Sequence, residues 1–237
     1  MADYVGLQWD LDGERLYETG VDHMALSVFN GTKYPAAVAW NGVTAITESP
    51  SGAESNKIFA DNIEYLNLLS KEEYGATIEA YMYPPEFEPC NGAKEIVKGV
   101  FVGQQNRQKF AFAYRTKVGS DAKGDDYGYK LHFVWGAKAS PSEKQYNTVN
   151  DSPEAMTLSW EISTTPVAYE YIEAPAEGSS ADPIKHAGYV AHLEIDSTAV
   201  DADNLEALEA LAFGDDEHGP GDFPMPSDVL RIIATGV

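Results

Sequence analysis

Carboxylates are the most abundant side chains in this sequence that could carry acid–base chemistry. Glycoside hydrolysis uses two of them, one as a general acid and one as a base or nucleophile, and Glu72–Glu73 and Glu86–Glu88 supply that residue type. The 237-residue chain contains 38 acidic residues, however, so such pairs arise by chance. The phosphate-loop, zinc-protease and serine-hydrolase signatures are missing from the sequence. We therefore interpret the glutamate pairs as solvated surface charges and predict that the protein is not an enzyme.

Histidine and cysteine side chains could bind a metal ion, but their spacing does not favour it. The histidines are His23, His132, His186, His192 and His218. His186 and His192 are six residues apart, which matches no pair of metal ligands on a helix. Cys90 is the only cysteine, which excludes an intramolecular disulfide and a multi-cysteine zinc site and indicates a reducing compartment. We predict no metal site and no cofactor.

Two short acidic segments resemble fragments of calcium-binding loops. They are Asp10–Gly13 and Asp201–Asn204. Neither has the glycine at the sixth position or the distal glutamate that a complete loop requires. We interpret the first as a turn and the second as the start of a helix.

The net charge excludes several classes of partner. Sixteen Lys and Arg residues against 38 Asp and Glu residues give a formal net charge of -22. Residues 1–150 hold 20 acids and 14 bases, a net charge of -6, and residues 151–237 hold 18 acids and 2 bases, a net charge of -16. So acidic a chain has no basic surface with which to release counterions from nucleic acid or to bind an anionic membrane.

The hydrophobic pattern indicates a folded, mainly β protein. The chain is 43% hydrophobic and 11% aromatic, which is enough apolar surface for a core. Alternation at period two predicts strands in Tyr74–Pro85, Met156–Ser163 and Tyr189–Asp196. Lys109–Lys117 and Tyr127–Ala139 are predicted to pair as a β-hairpin with a long tip. We expect an antiparallel β-sandwich or barrel-like fold.

A second, longer hairpin is predicted near the N-terminus. Pro35–Thr47 and Lys57–Ser70 both look extended, and the segment between them, Glu48–Asn56, consists of turn-forming residues. The pattern predicts that the two segments pair and that Glu48–Asn56 forms a polar tip facing solvent or a partner.

One helix is predicted, at Asn204–Phe213. Asp203 and Glu206 have the spacing of a capping box, and Gly214 is a stop signal. We expect a single domain over residues 1–237, with a β-rich part at about 1–200 and a C-terminal helix and acidic loop at about 201–237. Met1–Tyr4 shows no signal-peptide pattern, and no run of 18 apolar residues occurs, so we expect neither a secreted nor a membrane protein.

Six runs of residues carry a resemblance to a known family. They are YPAAVAWNGVTA (34–45), ESP (48–50), ADNIEYLNLL (60–69), YGATIEAYMYPPEFE (74–88), GQQNR (103–107) and ASPSEKQYNTVNDSPEA (139–155). In this order and spacing they resemble the major tail proteins of long-tailed, siphovirus-type bacteriophages of Gram-positive hosts, the subunits of the tail tube. The resemblance covers residues 34–167, and none of the runs is a catalytic signature.

The resemblance implies a β-sandwich-like structural protein of the virion. Six copies would close into a ring, and rings would stack head-to-tail into a tube through which the genome leaves the capsid. The implied partners are further copies of the chain, the tape-measure protein inside the tube, the tail terminator and the distal tail protein. The implied location is the virion tail, after assembly in the host bacterial cytoplasm. The size of such a tube can be estimated from strand geometry. Four strands per subunit would give about 24 strands in a ring of six. At about 4.8 Å spacing and about 40° tilt the backbone diameter is roughly 48 Å, which admits a DNA duplex.

The acidic charge suggests how DNA would pass through such a tube without specific binding. A wall rich in carboxylates repels phosphate groups and gains nothing from counterion release. The candidates for the lumen are Glu48, Glu54, Asp61, Glu64, Glu79 and Glu161. The candidates for the contact between rings are the residues of the predicted hairpin tip: Ser49, Pro50, Ser51, Gly52, Ala53, Glu54 and Ser55.

Alternative functions stay open at the level of sequence. Tail-like bacteriocins and gene-transfer particles would use the same kind of tube subunit. A carbohydrate-binding β-sandwich module would need an exposed aromatic face, for which Tyr81, Tyr83 and Trp135 are the candidates. An acidic hydrolase would need one of the glutamate pairs in a concave pocket.

Overall fold

The fold is mainly antiparallel β, as the alternation of apolar and polar residues predicts. The computed structural model describes residues 7, 9–148, 155–173 and 182–235. The strands are β1 (Leu16–Val28), β2 (Val38–Ala39), β3 (Val43–Glu48), β4 (Ser55–Ala60), β5 (Ile63–Leu69), β6 (Gly75–Ala80), β7 (Lys94–Val97), β8 (Val100–Val102), β9 (Phe110–Ser120), β10 (Gly124–Ala139), β11 (Leu158–Thr164), β12 (Val167–Glu173), β13 (Ile184–Val190) and β14 (His192–Asp196). The helices are α1 (Ala202–Phe213) and α2 (Pro226–Thr235), and Pro85–Phe87 form a 3₁₀ turn.

Eight of the strands form the main sheet. Its order is β2-β1-β9-β10-β11-β6-β3, and β14 pairs with β10 beside this path. Leu26 of β1 and Ile78 of β6 lie near opposite ends of the path, yet both belong to one buried cluster. The sheet therefore curls around a shared interior, which we call the inner core.

Aromatic rings around the 3₁₀ turn fill the inner core. The ring of Phe87 lies 4.6 Å from that of Trp40 and 5.3 Å from those of Phe110 and Trp160, measured between centroids. The Trp40 indole donates a hydrogen bond to the Met82 carbonyl at 2.9 Å, so its polar group is satisfied inside the core. The inner core is thus apolar and close-packed at this end.

A second core lies on the other face of β10. Leu131, Phe133 and Trp135 point away from the inner core and pack against the helices, as buried neighbours of Leu208 and Val229. The Trp135 indole donates to the Pro224 carbonyl at 2.9 Å. Because both faces of β10 are covered, its central residues are buried at consecutive positions.

Helix α1 confirms the predicted helix and its stop, but its cap differs from the prediction. Asp201, rather than Asp203, is the N-cap residue, and its carboxylate accepts hydrogen bonds from the amides of Asp203 and Asn204. Gly214 follows the helix with a φ of 86°, a conformation that glycine adopts without strain. Helix α2 was not predicted, although Pro226 at its first position and the spacing of Val229 and Ile232 are typical of a helix.

The predicted hairpin of Lys109–Lys117 with Tyr127–Ala139 is confirmed as β9–β10. Its tip is shorter than expected, since β9 runs to Ser120 and β10 begins at Gly124. The predicted strand at Met156–Ser163 is β11. The predicted strand at Tyr189–Asp196 is divided at Ala191 between β13 and β14.

The predicted pairing of Pro35–Thr47 with Lys57–Ser70 is wrong. Strand β3 pairs with β6 instead, and Lys57–Ser70 folds back on itself as the β4–β5 hairpin. The turn is at Asp61 and Asn62, whose φ angles of 50° and 64° suit a two-residue hairpin loop. We call residues 49–73, which project between β3 and β6, the arm.

The segment predicted to be the hairpin tip is the base of the arm. The amide of Ser51 donates to the Glu73 carbonyl at 2.9 Å, and the amide of Glu73 donates to the Ser51 carbonyl at 2.8 Å. Gly52 has a φ of +88°, and a Cβ there would come within 2.3 Å of the Lys71 carbonyl oxygen. The glycine therefore lets the two strands of the base approach closely.

The helices are short relative to a lipid bilayer. Within the residues that the structure describes, no helix is long and apolar enough to cross a membrane.

We predict that Phe87→Ala lowers the free energy of unfolding by about 3–5 kcal/mol, because it removes a fully buried ring from the inner core. Phe59→Ala is the matched control, since the Phe59 ring is 66% exposed on the arm and its loss should change stability by less than about 0.5 kcal/mol. Urea unfolding of the monomeric protein measures both. Equal effects of the two substitutions would contradict the packing described above.

Candidate functional site

A polar face runs across four neighbouring strands on the outside of the curled sheet. Alternation in β6 turns Ala76 and Ile78 into the inner core and leaves Glu79 on the outside. Glu79 is opposite Ser159, and Glu161 is opposite Thr77, so these side chains share that side of the sheet. The outer polar face, as we call it, consists of Thr47, Thr77, Glu79, Lys138, Ser159, Glu161 and Ser163.

Only two of the six predicted lumen carboxylates lie on the outer polar face. They are Glu79 and Glu161. Glu54, Asp61 and Glu64 belong to the arm, where Glu64 forms an ion pair with Lys57 at 2.8 Å.

Glu48 is on the opposite side of the sheet from Glu79. It is paired in register with buried Ala76, so it shares the inner side with that residue. The sequence pattern predicted Glu48 as the first residue of a hairpin tip, but it is the last residue of β3, whose pairing with β6 turns it inward. The six carboxylates therefore do not form one wall of a single subunit.

The arm carries an apolar face that the rest of the described chain leaves exposed. Ile58 is opposite Leu66, and Leu68 follows Leu66 by two positions on the same face. The exposed fractions of Ile58, Leu66 and Leu68 are 40%, 45% and 48%, and that of Ile63 beside the turn is 62%. We call these four residues the apolar arm face. A two-stranded hairpin is marginally stable alone in water, so this surface is a candidate contact surface.

The two other separate hairpins expose apolar side chains in the same way. On β7–β8, Ile96 and Val97 are 61% and 63% exposed. On β12–β13, Ile172, Ile184 and Tyr189 are 58%, 57% and 75% exposed. Three small sheets thus surround a well-buried body, each with apolar surface that contact with another chain would cover.

A polar cluster lies at the end of the inner core nearest the arm. His132 of β10 and His192 of β14 are joined by a hydrogen bond of 3.1 Å between Nδ1 and Nε2. The Glu48 Oε1 atom lies 3.7 Å from each of these nitrogens. The Tyr114 hydroxyl donates to Glu48 at 2.5 Å, and Thr116 Oγ1 lies 3.0 Å from the second nitrogen of His132. We call Glu48, His132 and His192 the histidine cluster.

Burial sets the protonation of the groups in this cluster. It lowers the pKa of His132 below the usual value, and the neighbouring His192 lowers it further, whereas Glu194 and Glu48 act in the opposite direction. Burial also lowers the pKa of His192. The pKa of Tyr114 is raised by burial and by its neighbours Tyr74 and Glu48, so its hydroxyl stays protonated and donates. Both histidines are therefore held mainly in the neutral form.

The arrangement of the two rings suits a shared proton better than a metal ion. The three ligand atoms lie within 4.8 Å of one another. The ring planes differ by only 4°, and the centroid separation of 5.4 Å equals the 3.1 Å contact plus about 1.15 Å from each nitrogen to its ring centre. The rings therefore meet head-on, with their lone-pair directions aimed at each other, whereas two imidazole ligands must aim at a common point to one side.

No motif in the sequence marks this cluster. His132 and His192 are 60 positions apart, and the pairing of β10 with β14 brings them together. The sequence does contain one sign of the cluster. His132 alternates in phase with buried Val134, so it occupies an inward-facing position of β10.

The proposed aromatic face for carbohydrate binding is wrong. Trp135 is fully buried against the helices, and Tyr83 is partly buried and donates a hydrogen bond to Glu88 at 3.1 Å. Of the three candidates only Tyr81 is exposed, at 53%. One exposed ring does not form a sugar-binding platform.

Comparison with known proteins identifies no family for this chain. No protein-family model matches the sequence, and no curated protein matches it.

We predict that Tyr114→Phe lowers the free energy of unfolding by about 1–2 kcal/mol, because it removes the hydrogen bond donated to the Glu48 carboxylate. Tyr146→Phe deletes the same hydroxyl from a side chain that is 79% exposed and should leave stability unchanged. Thermal unfolding followed by circular dichroism distinguishes the two variants. If both behave like the parent protein, the hydroxyl does not hold Glu48 in place.

Proposed function

We propose that this chain is a structural virion protein, the subunit of a bacteriophage tail tube, in which six copies form a ring and rings stack into a conduit for the genome. The observation that carries the proposal is the apolar arm face. A well-packed body extends a hairpin whose apolar arm face carries four exposed side chains, as a subunit that binds its own copies would do. The resemblance of residues 34–167 to major tail proteins supports the same function.

The arm is the part of the chain that we assign to the contact between rings. It is joined to β3 at one end and to β6 at the other, and the backbone hydrogen bonds between Ser51 and Glu73 hold its base together. About twelve residues on each side of the turn of the arm, at about 3.3 Å per residue, allow a reach of up to about 40 Å. The predicted contact residues Ser49–Ser55 belong to its base, so the contact itself is assigned to the apolar arm face near the turn.

The outer polar face is our candidate for the inner wall of the tube. It spans β3, β6, β11 and the end of β10, which is four strands, and six copies would supply about 24 strands. Glu79 and Glu161 place carboxylates on it, with Lys138 at its margin. DNA would pass such a wall without a gain from counterion release. The tape-measure, terminator and distal tail proteins are the further partners expected of a tube subunit, and the virion tail is its expected location.

We predict that the purified protein forms rings or tubes in negative-stain electron microscopy and that Leu66→Asp abolishes them, because a charge on the apolar arm face opposes its burial. Asn67→Asp is the matched control: it adds the same charge one residue away, on the other face of the arm, and should still assemble. Circular dichroism should show both variants folded. A parent protein that stays monomeric at every concentration would refute the tube, and assembly of Leu66→Asp would place the contact elsewhere.

We predict that Glu79→Lys combined with Glu161→Lys slows DNA ejection by at least about tenfold while tubes still assemble, because cations on the wall bind phosphates. Glu206→Lys combined with Glu217→Lys changes the net charge equally at exposed sites on α1 and the acidic loop and should leave ejection unchanged. Fluorescence of released DNA gives the rate. The same assay on whole particles separates a phage or gene-transfer particle, which releases DNA, from a bacteriocin, which carries none.

A further inference from the structure

The histidine cluster contacts the two residues that flank the arm. Glu48 immediately precedes the arm, and its carboxylate is 3.7 Å from both histidine nitrogens. Tyr74 immediately follows the arm, and its ring stacks on His192 with centroids 4.6 Å apart. The Tyr114 hydroxyl lies between them, 2.5 Å from Glu48 and 3.5 Å from the Tyr74 hydroxyl. The direction of the arm is thus tied to these side chains.

The head-on contact between His132 and His192 is compatible with the neutral pair and with one added proton, but not with two. In the neutral pair one ring donates N–H and the other accepts. A single added proton keeps a donor and an acceptor facing each other, but a second leaves two donors and two positive charges 3.1 Å apart. The side chains are only 4% and 18% exposed, so water does not screen that repulsion well.

We propose that the His132–His192 pair is a pH-sensitive latch that holds the base of the arm in place near neutral pH and releases it under mildly acidic conditions. When both rings are protonated, His192 is the one that leaves, since it is the more exposed. Its departure removes the ring on which Tyr74 stacks. The latch belongs to the single chain and does not rest on assembly into a tube.

The charged and titratable groups around the pair do not remove this repulsion. Those facing it from the surrounding elements are Glu48, Tyr74, Tyr114, Lys130 and Glu194. Lys130 is itself paired with Glu18 and with Glu194, and the latter contact is 2.9 Å. Tyr74 and Tyr114 have raised pKa values and remain neutral. Glu48 and Glu194 favour protonation of both rings and partly offset the repulsion, but neither is placed between the two nitrogens, which stay in direct contact.

The direction of the pH effect follows from the lowered pKa values of both histidines. A released histidine titrates near 6.5, whereas the latched ones titrate lower, so release takes up protons. The latched state is therefore fully favoured above about pH 6.5 and is lost as the pH falls through the lowered values. Each proton taken up shifts the equilibrium by at most about tenfold per pH unit.

Amide hydrogen exchange of the monomeric protein tests the latch. The exchange rates are measured between pH 7.5 and pH 4.5 with EDTA present, and each is corrected for the intrinsic rate at that pH. The reporters are the amides of Ser49, Ser51 and Glu73, which are hydrogen-bonded across the base of the arm. Their protection should fall at least about tenfold from pH 7.5 to pH 5. Glutamine does not titrate, so His192→Gln cannot form the doubly protonated pair and should lose most of the pH dependence, whereas His218→Gln, on the exposed acidic loop, should retain it.

Three results would overturn the proposal. They are unchanged protection in the parent protein over this pH range, the same pH dependence in His192→Gln as in the parent, and saturable zinc binding at pH 7.5 that His192→Gln eliminates. The last result would assign the cluster as a metal centre. His192→Phe keeps a ring against Tyr74 and replaces His192→Gln if the latter does not fold, as judged by circular dichroism at pH 7.5.

Discussion

Burial of strand β10 on both faces is the constraint on which the rest of the structure depends. On one side Phe133 and Trp135 must be covered, and the two helices cover them. On the other side Val134 and Ala137 must be covered, and the sheet achieves this by curling β11, β6 and β3 around the inner core. The body of the protein needs no further contact, so the small hairpins attached to it are left with apolar surface that nothing within the described chain buries.

Sequence alone predicted those elements whose hydrophobic period was long and uninterrupted. The β9–β10 hairpin, β11 and α1 have that property, and the mainly antiparallel β class followed from them. The arm was missed because the turn at Asp61 and Asn62 consists of only two residues within a run of apolar ones, whereas Glu48–Asn56 is richer in turn-forming types. Gly52, one of these turn-forming residues, does not reverse the chain direction. It allows the two sides of the arm to approach closely at the base.

The candidate sites were less predictable than the fold, because they depend on strand register and on contacts between distant strands. Glu79 and Glu161 could be assigned to the outer polar face from alternation. Glu48 could not, since it was assigned to a hairpin tip, and the unpredicted pairing of β3 with β6 turns it inward to the histidines. The net charge did not predict where the carboxylates of the outer polar face lie. Most of the excess of acidic residues follows residue 150, whereas the outer polar face carries only two carboxylates.

The continuity of the arm with β3 and β6 has a mechanical consequence. A pull on the arm away from the body is transmitted along both strands into the main sheet. There, six residue pairs between Gly75–Ser163 and Ala80–Leu158 join β6 to β11. Force along the strands loads this ladder in shear, so its hydrogen bonds share the tension and do not unzip one after another. The arm is therefore anchored in the main sheet in a way that transmits load to several hydrogen bonds at once.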